Sequence, residues 1–210
     1  MRKIAATGFA AASALALVAG AAAPASAALN EKSLAAVLTS DNNKFDKNWK
    51  DYDIVTEAVL AILAAKPESA VGVLADGSVK LTAFVPNDKA FQILVKDLTG
   101  KKYKKEKTVF NKLVAAVGVD TVEQVLLYHV VPGARITAKT AMGADDVKLT
   151  TAQGAKFKVN VVHSSIRLQD QDRNSRNARV NVVNINKGNK QIAHGIDRVL
   201  RPIDLPPTAS

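Results

Sequence analysis

Thr82-Ala-Phe-Val-Pro-Asn-Asp-Lys-Ala-Phe91 changes its periodicity partway along. Thr82 to Val85 is a short apolar run with a β-branched residue at each end and an aromatic inside, the pattern of a buried strand. Pro86 has no N–H for a sheet ladder and ends that strand. Asn87 or Asp88 can then accept from free helix N–H groups, and Ala90, Phe91, Leu94 and Val95 recur on one side of a helix. Phe84 and Phe91 flank the corner, and Pro86 sets its entry angle.

Upstream, Val71 to Ala75 and Val79 to Val85 are apolar runs separated by Asp76-Gly77, a dipeptide that predicts a β-hairpin. Before them, Asp53 reads as an N-cap with Glu57 in the first turn. Val55, Val59, Ile62 and Leu63 recur at helical spacing until Pro67 stops the helix. Residues 30–39 read as a short helix capped by Asn30. Residues 40–52 read as a polar loop that Phe45, Trp49 and Tyr52 dock onto the body.

Downstream, a lysine-rich loop leads into a helix over about 107–117 that Gly118 ends. Asp120, with Glu123 as capping-box partner, starts another helix that runs to Pro132-Gly133. After residue 145 the period becomes two. Strands are expected around Val147–Leu149, Phe157–Val161, Ile166–Leu168, Val180–Val183 and Ile192–Leu200, with turns at Gln153-Gly154 and Lys187-Gly188. Helices thus precede strands, and a strand from the middle must join the sheet. This segregation predicts an α+β fold.

The amino terminus has the form of a secretory leader. Arg2 and Lys3 precede an Ala-rich apolar run, Pro24 breaks it, and Ala25-Ser26-Ala27 offers a cleavage site. Cleavage after Ala27 leaves 27 basic against 19 acidic residues, a net charge of +8. The chain is then expected to divide into a signal peptide at 1–27, a helix and polar loop at 28–52, a domain at 53–202 and a disordered tail at 203–210. The remaining chain can bury an ordinary single core, and no later stretch is apolar enough to span a membrane. A basic protein outside the cell is drawn to anionic surfaces. The absence of cysteine excludes disulfides, thiolate catalysis and Cys-ligated metal.

Three segments resemble the signatures of fasciclin-type domains. They are Thr82 to Phe91, Leu126-Leu-Tyr-His-Val-Val-Pro-Gly133, and Ala193-His-Gly-Ile-Asp-Arg-Val-Leu-Arg-Pro202. They stand in family order at roughly family spacing, and the likeness covers residues 53–202. The resemblance implies a wedge of antiparallel, β-sandwich-like sheets with a cluster of packed helices. It also implies adhesion or binding to an extracellular partner. The structural signature positions are Thr82, Phe84, Pro86, Asn87, Phe91, His194 and Asp197. Gly195 departs from the pattern, since an aliphatic residue is usual there.

Two groups are candidate contacts for a partner. Tyr128 and His129 form the dipeptide that the resemblance associates with adhesion, although Val125, Leu126, Val130 and Val131 around them favour inward packing. Lys101, Lys102, Lys104 and Lys105, with Lys96, Lys107 and Tyr103, form a basic cluster suited to a wall polymer or acidic glycan, or else a solvated loop. Arg167, Arg173, Arg176 and Arg179 form a second basic group. Asp197, in an apolar setting, requires partners such as backbone N–H groups, Arg198 or His194.

No metal or cofactor site is expected. His129, His163 and His194 lack zinc spacing, and Asp170-x-Asp172-x-Asn174 lacks the Gly and Glu of a calcium loop. No hydrolase elbow occurs. The expected function is a secreted, monomeric binding module for a cell-surface, cell-wall or matrix partner, without nucleic acid. A carrier of an apolar small molecule in a groove is the alternative, and an enzyme acting on glycan or wall ranks below both.

Overall fold

The computed structural model describes residues 28–40 and 44–204. The leader expected at 1–27 and the tail from 205 onward lie outside the described residues. The chain forms α1 (Leu34–Leu38), α2 (Asp53–Ala65), a 3-10 helix (Ala70–Leu74), β1 (Leu81–Pro86), α3 (Asp88–Thr99) and α4 (Glu106–Tyr128). There follow β2 (Val130–Pro132), α5 (Ala138–Met142), β3 (Lys148–Thr150), β4 (Lys156–Val162), β5 (Ser165–Gln169), β6 (Ala178–Ile185) and β7 (Gln191–Ile196). No helix among the described residues is long and apolar enough to cross a membrane.

The architecture is α+β, and the strands run in the order β2-β1-β7-β6-β5-β4-β3. Every pairing is antiparallel except β1 with β7, where Leu81 to Pro86 run beside Gln191 to Ile196. β6 belongs to both halves of the sheet. Ala178 and Arg179 pair with β5, and from Val180 onward the strand pairs with β7 across register shifts. The outer strands approach one another, because the Ala152 N–H donates to the Val130 carbonyl at 2.7 Å. The sheet therefore nearly closes into a barrel.

β1 is buried on both faces and its alternation separates two cores. Leu81, Ala83 and Val85 face the helices α2, α3 and α4. Phe84 faces the interior of the sheet, with Tyr128, Phe157, Leu168 and Leu200. Its ring meets Phe157 edge-on at 5.3 Å and stacks with His194 at 5.5 Å. Asn87 caps α3 by accepting from the Ala90 N–H at 3.0 Å.

Several local expectations change. The predicted hairpin at Asp76-Gly77 is absent. Its first arm is the 3-10 helix capped by Ser69, and β1 pairs instead with two distant strands. Gly77 serves another purpose, since a Cβ there would lie 1.6 Å from the Glu31 carbonyl oxygen, so glycine lets the amino-terminal segment cross it. Ser33, not Asn30, caps α1, and Asn30 bridges to Asn189. Asp120 and Glu123 engage Lys66 and Ser69. Gly118 breaks α4 into two helical stretches as expected, with a non-helical φ of 77° and ψ of 162°, but the second stretch stops at Tyr128, and Val130–Pro132 is a strand. β7 ends at Ile196 rather than Leu200, and α5 was not anticipated. Gly195 also has a tertiary reason, because a Cβ there would lie 2.2 Å from the Tyr52 hydroxyl oxygen.

Candidate functional site

The lysine loop begins where Gly100, at φ 69°, ends α3, and it closes where Lys105 enters α4. Lys101, Lys102, Lys104 and Lys105 are all exposed. The loop is held from beneath at Tyr103, whose carbonyl accepts from Gln92 Nε2 at 2.5 Å. Lys112 Nζ lies 6.0 Å from the centre of the Tyr103 ring. Lys89, on the first turn of α3, has its ammonium pKa lowered by partial burial and then by the charges of Lys102 and Arg198. Arg198 is in turn lowered by burial and then by Arg176. Basic groups thus extend from Lys102 past Lys89 to Arg198 and Arg176, with Asp97 and Asp197 set beside Arg198. They come from segments far apart in sequence.

Tyr128 and His129 do not reach the surface. Tyr128 is fully buried and its hydroxyl donates to the Lys156 carbonyl at 2.9 Å. Burial, then the nearby Asp170 charge, pushes its phenol pKa up to about 12. His129 Nδ1 lies 2.7 Å from the Val125 carbonyl, and the Leu200 N–H donates to Nε2 at 2.8 Å. That pattern requires a proton on Nδ1 and a neutral ring. Burial holds its pKa down to about 4. As placed, Tyr128 ties α4 to β4, His129 ties the end of α4 to the segment after β7, and both rings are buried.

The signature residues hold the frame around them. Thr82 Oγ1 donates to the Ala134 carbonyl and accepts from the Ile136 N–H, each at 2.8 Å. His194 Nε2 lies 2.8 Å from the Ile136 carbonyl, so β1 and β7 grip one segment together. Asp197 accepts from the Arg179 N–H at 2.7 Å and from Arg176 Nη2 at 2.6 Å. Arg198 meets only the Asp197 carbonyl, and His194 faces elsewhere. Arg167 and Arg179 stand directly opposite each other across β5 and β6. Asp170 and Asp172, which open the calcium-like stretch, receive Arg201 through its N–H and its guanidinium.

An apolar groove of about 380 Å³ opens between α3 and α4. Phe91, Leu94 and Leu98 line one wall, and Leu113, Val117 and Val125 line the other. Phe91 reads in the sequence as a structural residue, and here it also lines the groove. The groove was not located in the sequence, because its walls come from helices whose crossing only the fold sets.

Among the described residues, two groups of carboxylates lie close enough to share a cation: Asp46, Asp51 and Glu106, and Asp51, Asp53 and Asp88. Asp88 is raised to about 9, first by burial and then by Asp51, and burial raises Glu106 to about 7. Sequence spacing gave no sign of either group. The residues come from one loop and the first turns of three separate helices.

The Fasciclin domain family profile matches residues 56–202. Among solved structures, the FAS1 domain pair of the insect cell adhesion molecule Fasciclin I is similar, with a TM-score of 0.55 and 17% identity. The match covers 82% of this chain and 51% of that one, so the chain spans about half the length of the pair. At that identity the likeness concerns the fold. No curated protein sequence matches.

Proposed function

The chain belongs to the fasciclin-domain family, and from that membership we propose that it is a secreted binding module for an anionic polymer of the cell wall, cell surface or matrix. Fasciclin domains are in general adhesion or binding modules, and the similar insect protein is a cell adhesion molecule. The observation that carries the reading is the exposed lysine loop and its continuation through Lys89 to Arg198. A surface on which basic groups predominate concentrates anionic segments and raises the rate of encounter. The module acts as a monomer and performs no catalysis. Its leader is the segment ending at Ala27.

The test is binding to isolated cell wall, to a heparin-like glycan and to a neutral glycan over a range of salt concentrations. A variant with Lys101, Lys102, Lys104 and Lys105 changed to Glu runs beside the native protein. Binding to the anionic materials should weaken with salt and fall at least about tenfold in the variant. Binding that is indifferent to both would overturn the reading.

The groove between α3 and α4 supports a second reading, a carrier of an apolar small molecule, because its walls are almost wholly aliphatic and aromatic. Native mass spectrometry of the purified protein distinguishes it. A retained lipid or chromophore supports the carrier, and a bare mass with no stabilisation by added lipids removes it.

A further inference from the structure

The acidic pocket beneath the 46–53 loop differs from an ordinary solvated cluster of carboxylates. Asp88 is 0% exposed and Glu106 is 1% exposed, and neither takes part in any salt bridge between described residues. Each accepts from a backbone N–H through only one oxygen, and the Asp88 carboxyl approaches that of Asp51 closely enough to share a hydrogen bond. Asp88 Oδ1 accepts from the Ile54 N–H at 2.8 Å, and Glu106 Oε2 accepts from the Asp46 N–H at 2.6 Å. Asp88 Oδ2, Glu106 Oε1 and Asp51 Oδ1 are buried without a hydrogen-bond partner. A buried carboxylate oxygen with nothing to accept from is costly, and two that face each other need a proton, a water or a cation between them.

The geometry suits a cation. Asp51 is common to both carboxylate groups, and within each group the ligand atoms lie within 4.8 Å of one another. Oxygens bound to one calcium ion at about 2.3–2.6 Å stand no more than about 5 Å apart. The donor set is all oxygen, which favours a hard ion such as calcium over soft, thiolate-seeking metals. Three of the carboxylates begin helices: Asp53 begins α2, Asp88 α3 and Glu106 α4. An ion in the first group would tie α4 to the loop that connects α1 with α2, and an ion in the second would tie α2 and α3 to it.

We propose that this pocket is a calcium site in which Asp51 is the shared ligand, flanked by Asp46 and Glu106 on one side and by Asp53 and Asp88 on the other. The site is independent of the lysine loop and of what that loop binds. It explains why three buried oxygens lack partners and why the loop carries Asp46 and Asp51 toward buried acids.

The experiment is thermal unfolding of the whole chain with and without about 10 mM calcium, together with terbium luminescence excited through Trp49, the one tryptophan, which lies on the same loop. For an affinity of about 1 mM, calcium should raise Tm by about 3–6 °C. Terbium emission should appear and be competed away by calcium. Asp51→Asn and Glu106→Gln should remove both responses while folding at least as well without calcium, since each relieves crowding of like charge. Exposed Asp46→Asn provides the same reading if either buried variant fails to fold. A native protein that ignores calcium while Asp51→Asn raises its Tm would mean that a shared proton fills the pocket, which overturns the proposal. Equal calcium responses in native protein and variants would place the ion elsewhere and overturn it too.

Discussion

His129 shows what burial does to one titratable group. The ring is neutral in the fold, with a pKa held down to about 4, against about 6.5 when the chain is unfolded. A depressed histidine contributes stability that is complete above pH 6.5 and is lost as the pH falls toward 4, because the unfolded chain takes up the proton first. Asp170, raised to about 6 by burial, acts with the opposite sign, so total stability against pH would hide the effect. The informative quantity is the difference in unfolding free energy between the native protein and His129→Gln. It should shrink by about 3 kcal/mol between pH 7 and pH 4. A flat difference would mean that the ring reaches water. The residue types at 128 and 129 were plain in the sequence, and so were their apolar neighbours. Their hydrogen bonds to Lys156 and Leu200 were not, because those partners depend on where β4 and the segment after β7 come to lie, whereas the contact of His129 with Val125 is local to α4.

Among the elements, local signals succeeded where the cause was local. Asn87 caps α3 and Gly118 interrupts α4, and both follow from a side chain or a dihedral within the same turn. The Asp76-Gly77 reading failed because the glycine answers to Glu31, far away in sequence. The β4–β5 hairpin shows the reverse case. Its two loop residues, His163 and Ser164, have φ of 45° and 61° and carry no turn signal of the Asn-Gly type. Positive φ at both positions of a two-residue loop favours Asn-Gly. Replacing His163-Ser164 with Asn-Gly should stabilise the protein by about 0.5–1 kcal/mol in denaturant melts. Destabilisation would indicate that His163 or Ser164 makes a contact outweighing the strain.

For the molecule as a whole, the amino-terminal segment is part of the domain core although the family match begins at residue 56. Leu34 is fully buried and Leu38 nearly so, both in the helix-side core. Gln191 binds the Leu34 N–H with its carbonyl oxygen, and its amide nitrogen donates to the carbonyls of Val73 and Asp76. A chain beginning at Lys44 should lose about 3–6 kcal/mol from the two leucines alone. Urea unfolding would register it, and an unchanged midpoint would show that the segment rests on the surface without supporting it.

The sequence by itself determined the α+β class, the strand-to-helix corner at Thr82–Phe91, the cap at Asn87 and the family, because each rests on side-chain periodicity or on contacts a few residues apart. The parallel pairing of β1 with β7, the burial of Tyr128 and His129, the groove between α3 and α4, and the approach of Asp51 to Asp46 and Glu106 and to Asp53 and Asp88 came from the folded arrangement alone. Those features arise where distant segments share space. The energy that fixes them, chiefly burial of apolar surface set against the cost of burying charge, depends on neighbours that no local stretch of sequence specifies.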